Sequence, residues 1–388
     1  MVVLILANNS VGLYKFRREL LEELIAQKNE VFISLPSGDF VAEMQQMGCH
    51  FIETEISRHG TNPFTDLVLV KKYCSIIKSV KPDIVFTYTI KPNVYGGMAC
   101  RWCKVPYVAN VTGLGTAVEN KGLLQTITLT LYKMGLKKAQ RVFFQNQKNQ
   151  QFMLEHGVVK GQYSLLPGSG VNLERFEPLP YPAETNGIHF VFISRIMREK
   201  GIDQYLAAAK HFKAAELVDA PASCHPERSA SGVEGSSAEC SHNVTFHICG
   251  FCEKEYRGEL DELIAKGIVE YHGMVRDVRE ILKDIHCTIH PSFYPEGLSN
   301  VLLESCASAR PIITTDRSGC KEVVDDGVNG FIVKQRDSAD LIQKIEQFIA
   351  LPHEEKVKMG LAGRAKVERE FNRQIVVDAY LNELEAVR

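Results

Sequence analysis

The stretch Phe190-Val191-Phe192-Ile193-Ser194-Arg195-Ile196-Met197-Arg198-Glu199-Lys200-Gly201-Ile202-Asp203 is an apolar run that ends in a basic loop and opens a helix. Repeated, that strand-loop-helix unit builds a parallel sheet covered on both faces. The repeat is present throughout. Strands are expected at VVLILA (2–7), EVFISL (30–35), HFIETE (50–55), IVFTYT (84–89), YVANVT (107–112), RVFFQN (141–146) and YSLLP (163–167). A second series follows at HFVFISR (189–195), VTFHIC (244–249), VEYHG (269–273), CTIHPS (287–292), PIITTD (311–316) and GFIVK (330–334). Apolar residues recur at helical spacing in 13–27, 65–80, 281–285, 300–309 and 339–350, so helices fill the gaps. Each series reads as one doubly wound α/β sheet. The Pro-rich stretch Pro178-Leu179-Pro180-Tyr181-Pro182 restricts the backbone between them and reads as the hinge.

The densest chemistry lies in Pro295-Glu296-Gly297-Leu298-Ser299-Asn300-Val301-Leu302-Leu303-Glu304. Ser299 suits the N-cap of the apolar run behind it, so a helix starts beside Gly297. Amides at Leu298, Ser299 and Asn300 then point at an anion, and Gly297 lets backbone approach it. Eight residues at helical rise set Glu296 and Glu304 roughly 12 Å apart, the reach of a ribose-diphosphate-hexose unit. One carboxylate can accept from sugar hydroxyls and the other from a ribose diol. Taken alone, two glutamates at this spacing are ordinary solvated charges. Arg195 and Lys200 leave the carboxyl end of a strand and can neutralise a departing diphosphate, which gives the acidic segment its complement.

On these residues the chain resembles the retaining glycosyltransferases of family 4. The similarity is densest from Ser194-Arg195 and Lys200-Gly201, through Gly273 and Asp277, to Glu296-Gly297, Glu304, Pro311, Gly319-Cys320-Lys321-Glu322 and Asp326-Gly327-Val328-Asn329-Gly330-Phe331. The resemblance implies the GT-B fold of two facing Rossmann-like domains: an acceptor domain over 1–178, a nucleotide-sugar domain over 179–368, and a helix over 369–388 that packs back on the first. It implies that Arg195 and Lys200 contact the donor diphosphate, Glu296 the donor sugar, Glu304 the ribose, and Gly273-Met274-Val275 the base. YTIKPN (88–93) with NVTGLG (110–115) is similar to the subgroup that builds bacterial surface glycans on lipid-diphosphate carriers. The expected reaction moves a hexose or N-acetylhexosamine from a UDP-linked donor to a polyprenyl-diphosphate-linked saccharide with retention, the leaving phosphate oxygen acting as base. No resident cofactor is expected, and no D-x-D pair sits at a strand end to call for a metal.

The first domain carries the acceptor candidates. Asn9 and Gly12 open the first helix, where a glycine and backbone amides can face the cleft; Gly12 is grouped with the donor contacts. Lys91, Asn110 and Thr112 sit at strand ends, and Lys91 is placed to meet an acceptor phosphate. Family members often have a histidine near the reacting sugar; here Thr112 or Lys91 occupies the comparable loops. Ser299 and Ala309 are further departures, at positions where the family favours proline and glycine. Gly250, in HICGFC, is expected to let backbone approach a phosphate. Lys15, Arg17, Arg18, Lys133, Lys137, Lys138 and Arg141 make two basic faces, which are either solvated or meet anionic lipid.

Composition sets bounds on partners and compartment. The formal charge of −2 and a pI near 6.6 leave no electrostatic footprint for nucleic acid. No apolar run spans a bilayer, and MVVLILANNS reads as a first strand and not as a signal peptide, so the chain is expected in the cytoplasm, peripheral on the inner face of the membrane. Eleven scattered cysteines fit reduced thiols, and the pairs Cys100/Cys103 and Cys249/Cys252 read as packing rather than zinc knuckles. Residues 218–243, rich in Ser, Ala, Gly and Glu, read as a flexible insertion, and the reading of Cys224, His225, Cys240 and His242 as zinc ligands is disfavoured. Three rival functions remain. A dinucleotide oxidoreductase lacks its G-x-G-x-x-G fingerprint here. An epimerase of the same fold would act on UDP-sugar alone, and a non-catalytic nucleotide-sugar-binding partner would need no intact site.

Overall fold

A computed structural model describes residues 1–56, 63–115, 118, 121–219 and 243–388. The insertion expected at 218–243, with its four candidate zinc ligands, falls almost wholly outside them. The chain divides into two compact units: Met1–Arg175 with Tyr294–Leu303 and Val367–Arg388, and Phe176–Phe293 with Glu304–Lys366.

In the N-terminal unit the strands are β1 (Val2–Leu6), β2 (Glu30–Leu35), β3 (His50–Glu53), β4 (Ile84–Tyr88), β5 (Tyr107–Val111), β6 (Arg141–Phe144) and β7 (Tyr163–Leu165). They form one parallel sheet in the order β3-β2-β1-β4-β5-β6-β7. Both faces of its centre are covered, so β4 and β5 are buried at every residue, which is why they read as unbroken apolar runs. The helices are α1 (Ser10–Ala26), α2 (Val41–Gln46), α3 (Pro63–Val80), α4 (Gly97–Cys103), α5 (Leu123–Leu136) and α6 (Gln147–Glu155), with a π-helical turn at Pro92–Gly96 before α4.

In the C-terminal unit β8 (Ile188–Ile193), β9 (Val244–Cys249), β10 (Glu270–Tyr271), β11 (Cys287–His290), β12 (Ile312–Thr315) and β13 (Gly330–Val333) form a second parallel sheet, ordered β10-β9-β8-β11-β12-β13. Its core packs Phe190, Phe192, Tyr205, Phe246 and Phe348. The helices are α7 (Ile202–Asp219), α8 (Arg257–Ala265), α9 (Arg279–Leu282), α10 (Asn300–Ala307), α11 (Ser338–Ile349), α12 (His353–Glu370) and α13 (Arg373–Glu385). Both α10 and α12 begin in one unit and end in the other.

Two sequence expectations are corrected here. The break falls at Arg175/Phe176 rather than after residue 178, and Tyr294–Leu303 belongs with the first unit. The Pro178–Pro182 stretch is also fastened down. Arg310, fully buried, donates to the carbonyls of Leu179 (3.1 Å), Pro180 (2.8 Å) and Leu282 (2.8 Å), and the Tyr181 hydroxyl donates to the His286 carbonyl (3.0 Å). Proline removes donors from this stretch, and the guanidinium answers its carbonyls.

Within the N-terminal unit, α13 packs on α1 and the sheet. Tyr380 sets its ring against Phe86 and Phe143 at 4.9 and 5.0 Å and accepts from Asn110 Nδ2 at 2.8 Å. Arg373 pairs with Glu19 at 2.7 Å.

Candidate active site

Carboxyl ends of parallel strands present backbone and loops to one edge of the sheet, and the N-terminal unit has two adjoining cavities there, of about 230 and 260 Å³. The first is lined by Asn9, Gly12, Arg17, Tyr88, Thr112, Glu296, Gly297, Leu298 and Asn300, among others. Lys91, Thr112, Glu296 and Gly297 line the second. Glu296 is half-buried and borders both.

The loop that carries Glu296 is clamped by its backbone. Asn146, the N-cap of α6, accepts from the Asn149 amide with its Oδ1 and donates through Nδ2 to the carbonyls of Glu296 (3.0 Å) and Gly297 (2.5 Å). A Cβ on Gly297 would lie 2.0 Å from the Thr112 carbonyl, so only glycine lets this loop approach β5 so closely. Leu298 packs on Gly168, whose φ of +63° and closeness to that leucine both demand glycine. The helix α10 starts at Asn300, one residue after Ser299, so its first-turn amides have no carbonyl ahead of them in the helix. Ser299 itself is buried and lies off both cavities, whereas Asn300 lines the first with a buried Oδ1 that has no hydrogen-bond partner among the described residues.

Several expected roles change. Asn9 is the N-cap of α1: its Oδ1 accepts from the Gly12 amide at 2.5 Å, so that amide is spent inside the protein and Gly12 serves as cavity wall. Asn110 is fully buried and consumed. It donates to Tyr380, its Oδ1 accepts from Gln145 (3.3 Å) and its carbonyl accepts from Asn93 (2.8 Å). It is a packing node. Lys91 faces the second cavity but is neutralised by Asp66 at 3.0 Å, and Tyr95 donates to the same carboxylate. Thr112 lines both cavities.

Arg17 is the residue that sequence reasoning misplaced. Read as part of an exposed basic face, it is buried, lies 5.0 Å from the Tyr88 ring centroid and lines the first cavity, with Nε lacking a hydrogen-bond partner among the described residues. The signal was its register: Leu13, Arg17, Leu20, Leu21 and Leu24 share the buried stripe of α1. Arg141 likewise turns inward, to Glu383.

The remaining candidates lie in the C-terminal unit. β8 runs out through Ser194 and exposed Arg195 into a 3₁₀ turn at Arg198–Lys200 that buries Lys200. Gly201 follows at φ +80°, where a Cβ would strike the Pro291 carbonyl at 2.1 Å, so the loop is pressed against the end of β11. The Glu199 carbonyl accepts from the Phe293 amide at 2.9 Å, which fixes that junction. Gly250 does not offer backbone to a ligand. Its amide donates to the Gly273 carbonyl (2.7 Å), its carbonyl accepts from the Tyr271 hydroxyl (2.8 Å), and a Cβ would meet the Ser194 carbonyl at 1.8 Å. Met274 is 72% exposed, Val275 half-buried, and Glu304 half-buried on α10. Glu322 closes the Gly319 turn by accepting from the Gly319 amide at 2.7 Å.

Residues 2–146 match the family described as glycosyl transferase 4-like, and residues 180–366 match glycosyl transferases group 1. Over 97% of its length the chain is 24% identical to N,N'-diacetylbacillosaminyl-diphospho-undecaprenol alpha-1,3-N-acetylgalactosaminyltransferase of Campylobacter jejuni, covering 96% of that protein. Among solved structures, a glycosyltransferase from Rickettsia africae superimposes with a TM-score of 0.78 at 20% identity, over 100% of this chain and 98% of that one. Anabaena Alr3699/HepE, solved with UDP-glucose, gives 0.75 at 17% identity over the whole of both chains. Two all-parallel α/β units, a 4-like first half and a group 1 second half together make this chain a GT-B glycosyltransferase of the family 4 kind.

Proposed function

We propose that the enzyme moves a hexose or N-acetylhexosamine from a UDP-linked donor to a polyprenyl-diphosphate-linked saccharide in the assembly of a bacterial surface glycan, with retention at the anomeric carbon. The observation that carries the reading is the loop Tyr294–Leu303. It holds Glu296 at the edge of two cavities, with the opening turn of a helix behind it. The end-to-end similarity to a transferase acting on an undecaprenol-diphosphate-linked sugar supports the acceptor class. A UDP-glucose complex of a protein with the same fold supports UDP.

In this reading Arg195 and Lys200 offset charge that develops on the departing diphosphate, where electrostatic stabilisation is strongest. Glu296 accepts from donor-sugar hydroxyls, Glu304 from the ribose, and the acceptor hydroxyl attacks from the face the diphosphate leaves. The departing phosphate oxygen takes the proton. No metal enters these steps, so turnover persists in a chelator. Arg17, lining the first cavity, is available to an anionic group of the acceptor.

The acceptor's lipid calls for a membrane surface. Among the described residues no helix is long and apolar enough to cross a membrane. Exposed Leu123, Leu124 and Ile127 on α5, with Lys133, Lys137 and Lys138 also exposed, support peripheral contact with anionic lipid on the cytoplasmic face.

The test is release of nucleoside diphosphate from a panel of UDP-sugars, with a GDP-mannose control, with and without polyprenyl-diphosphate saccharides. Acceptor-dependent UDP release with a one-sugar mass gain is expected. Release of free sugar or UDP without acceptor would favour epimerisation or hydrolysis, and UDP binding without turnover would favour a non-catalytic partner.

A further inference from the structure

Strand period and register bring four imidazoles into a row on the C-terminal sheet. Residues i and i+2 share a face of a strand, so Thr245 and His247 lie on one side of β9. His189 on β8 pairs with Thr245, and Glu270 on β10 pairs with His247. His272, two residues after Glu270, returns to the same face. The rings of His286, His189, His247 and His272 accordingly stack in series, with centroids 5.7, 5.2 and 5.2 Å apart.

At the β10 end this row becomes a donor set. His247 Nδ1 lies 3.0 Å from His272 Nε2 and 3.2 Å from a Glu270 carboxylate oxygen, and the ligand atoms of the three residues all fall within 4.8 Å of one another. With metal–ligand bonds of about 2.0–2.1 Å, a tetrahedral ion holds its ligand atoms roughly 3.3 Å apart, close to this spacing. The other nitrogen of His247, Nε2, is 2.9 Å from His189 Nδ1. That is the outer contact which orients a metal-bound imidazole. Buried His247 is held in place, while exposed Glu270 and His272 leave the remaining coordination positions to solvent.

From this geometry we propose that His247, Glu270 and His272 form a binding site for a divalent transition ion of the zinc class at the edge of the C-terminal sheet. Two imidazoles and one carboxylate favour zinc over magnesium or calcium, which prefer all-oxygen sets. The ion clips the two-residue edge strand β10 to β9. Just beyond, the Gly250 amide donates to the Gly273 carbonyl, so the clip steadies the start of the loop carrying Met274. Its role is structural and independent of the transfer reading.

The test titrates Zn²⁺ into the metal-free full-length chain against a chromophoric chelator, with Co²⁺ absorption reporting geometry. One equivalent is expected to bind, undisturbed by excess Mg²⁺, and to raise the melting temperature. Glu270→Gln and His272→Ala, both at exposed positions, are each expected to weaken binding at least tenfold, and the double variant to lose the thermal shift while keeping its circular dichroism. Absence of binding would overturn the proposal. So would full-affinity binding by the double variant, or binding that vanishes only when the thiols are alkylated.

Discussion

At the residue scale, the proposed function gives Glu296 and Glu304 separate jobs, the first at the donor sugar and the second at the ribose. Glu296 borders the cavities, so Glu296→Ala is expected to cut kcat about a hundredfold or more while leaving UDP affinity nearly unchanged, as loss of a contact to the reacting sugar should. Glu304→Ala is expected to weaken UDP binding about tenfold, worth roughly 1.4 kcal/mol. Steady-state kinetics with UDP titration calorimetry distinguishes the two, and equal effects on both quantities in both variants would contradict the assignment. Ala309 shows a residue whose oddity was visible before its reason. The family favours glycine there, and the structure holds Ala309 at φ +55°, in the left-handed region. Ala309→Gly is expected to stabilise the protein by up to about 1 kcal/mol in a urea melt. By type alone Arg17 and Asn110 both read as exposed, a basic residue on a helix and an amide at a strand end. For Arg17 the register of α1 carried a signal, since it falls on the stripe of Leu13, Leu20, Leu21 and Leu24. Asn110 had none, because its burial comes with a partner far along the chain, Tyr380, that no local pattern encodes.

At the element scale, the strands were readable because both faces of each sheet's centre are buried, which writes them as continuous apolar runs. Short α2 and α6 were not, since a helix of six or nine residues carries too few apolar positions to show a period. The start of β11 yields a pH prediction. His286 Nδ1 accepts from the His189 amide, and burial, reinforced by neighbouring His189, pushes its pKa down to about 4. Lys356 and Arg310 push the same way, and Glu184 opposes them. In the unfolded chain His286 takes its proton near the usual 6.5. Its contribution is therefore fully present above that pH and is lost progressively as pH falls toward 4. His286→Asn keeps an acceptor without a titrating ring, and is expected to flatten the fall in melting temperature between pH 7 and 4.5. An unchanged slope would place the acid sensitivity elsewhere.

At the scale of the whole molecule, a near-neutral chain can still present a charged apolar surface locally. The exposed lysines of and beside α5 each add roughly 1 kcal/mol of attraction to an anionic bilayer. Replacing Lys133, Lys137 and Lys138 with Gln is expected to weaken co-flotation with phosphatidylglycerol vesicles on the order of a hundredfold, and Leu123→Ser with Leu124→Ser to weaken it further. Wild-type protein that stays at the bottom of the gradient would leave this face merely solvated.

The ownership of Tyr294–Leu303 has a practical result for anyone recombining such enzymes. That loop follows β11 in the chain, yet Asn146, Thr112 and Gly168 hold it. A hybrid joined at residue 175, pairing this first half with a foreign second half, would import a loop shaped for another protein's amides and glycines. Under the donor role proposed for Glu296, donor preference would then travel poorly by simple exchange, and a productive graft would have to keep the native 294–303 segment, and the closing stretch from 367 onward, with the half that embraces them.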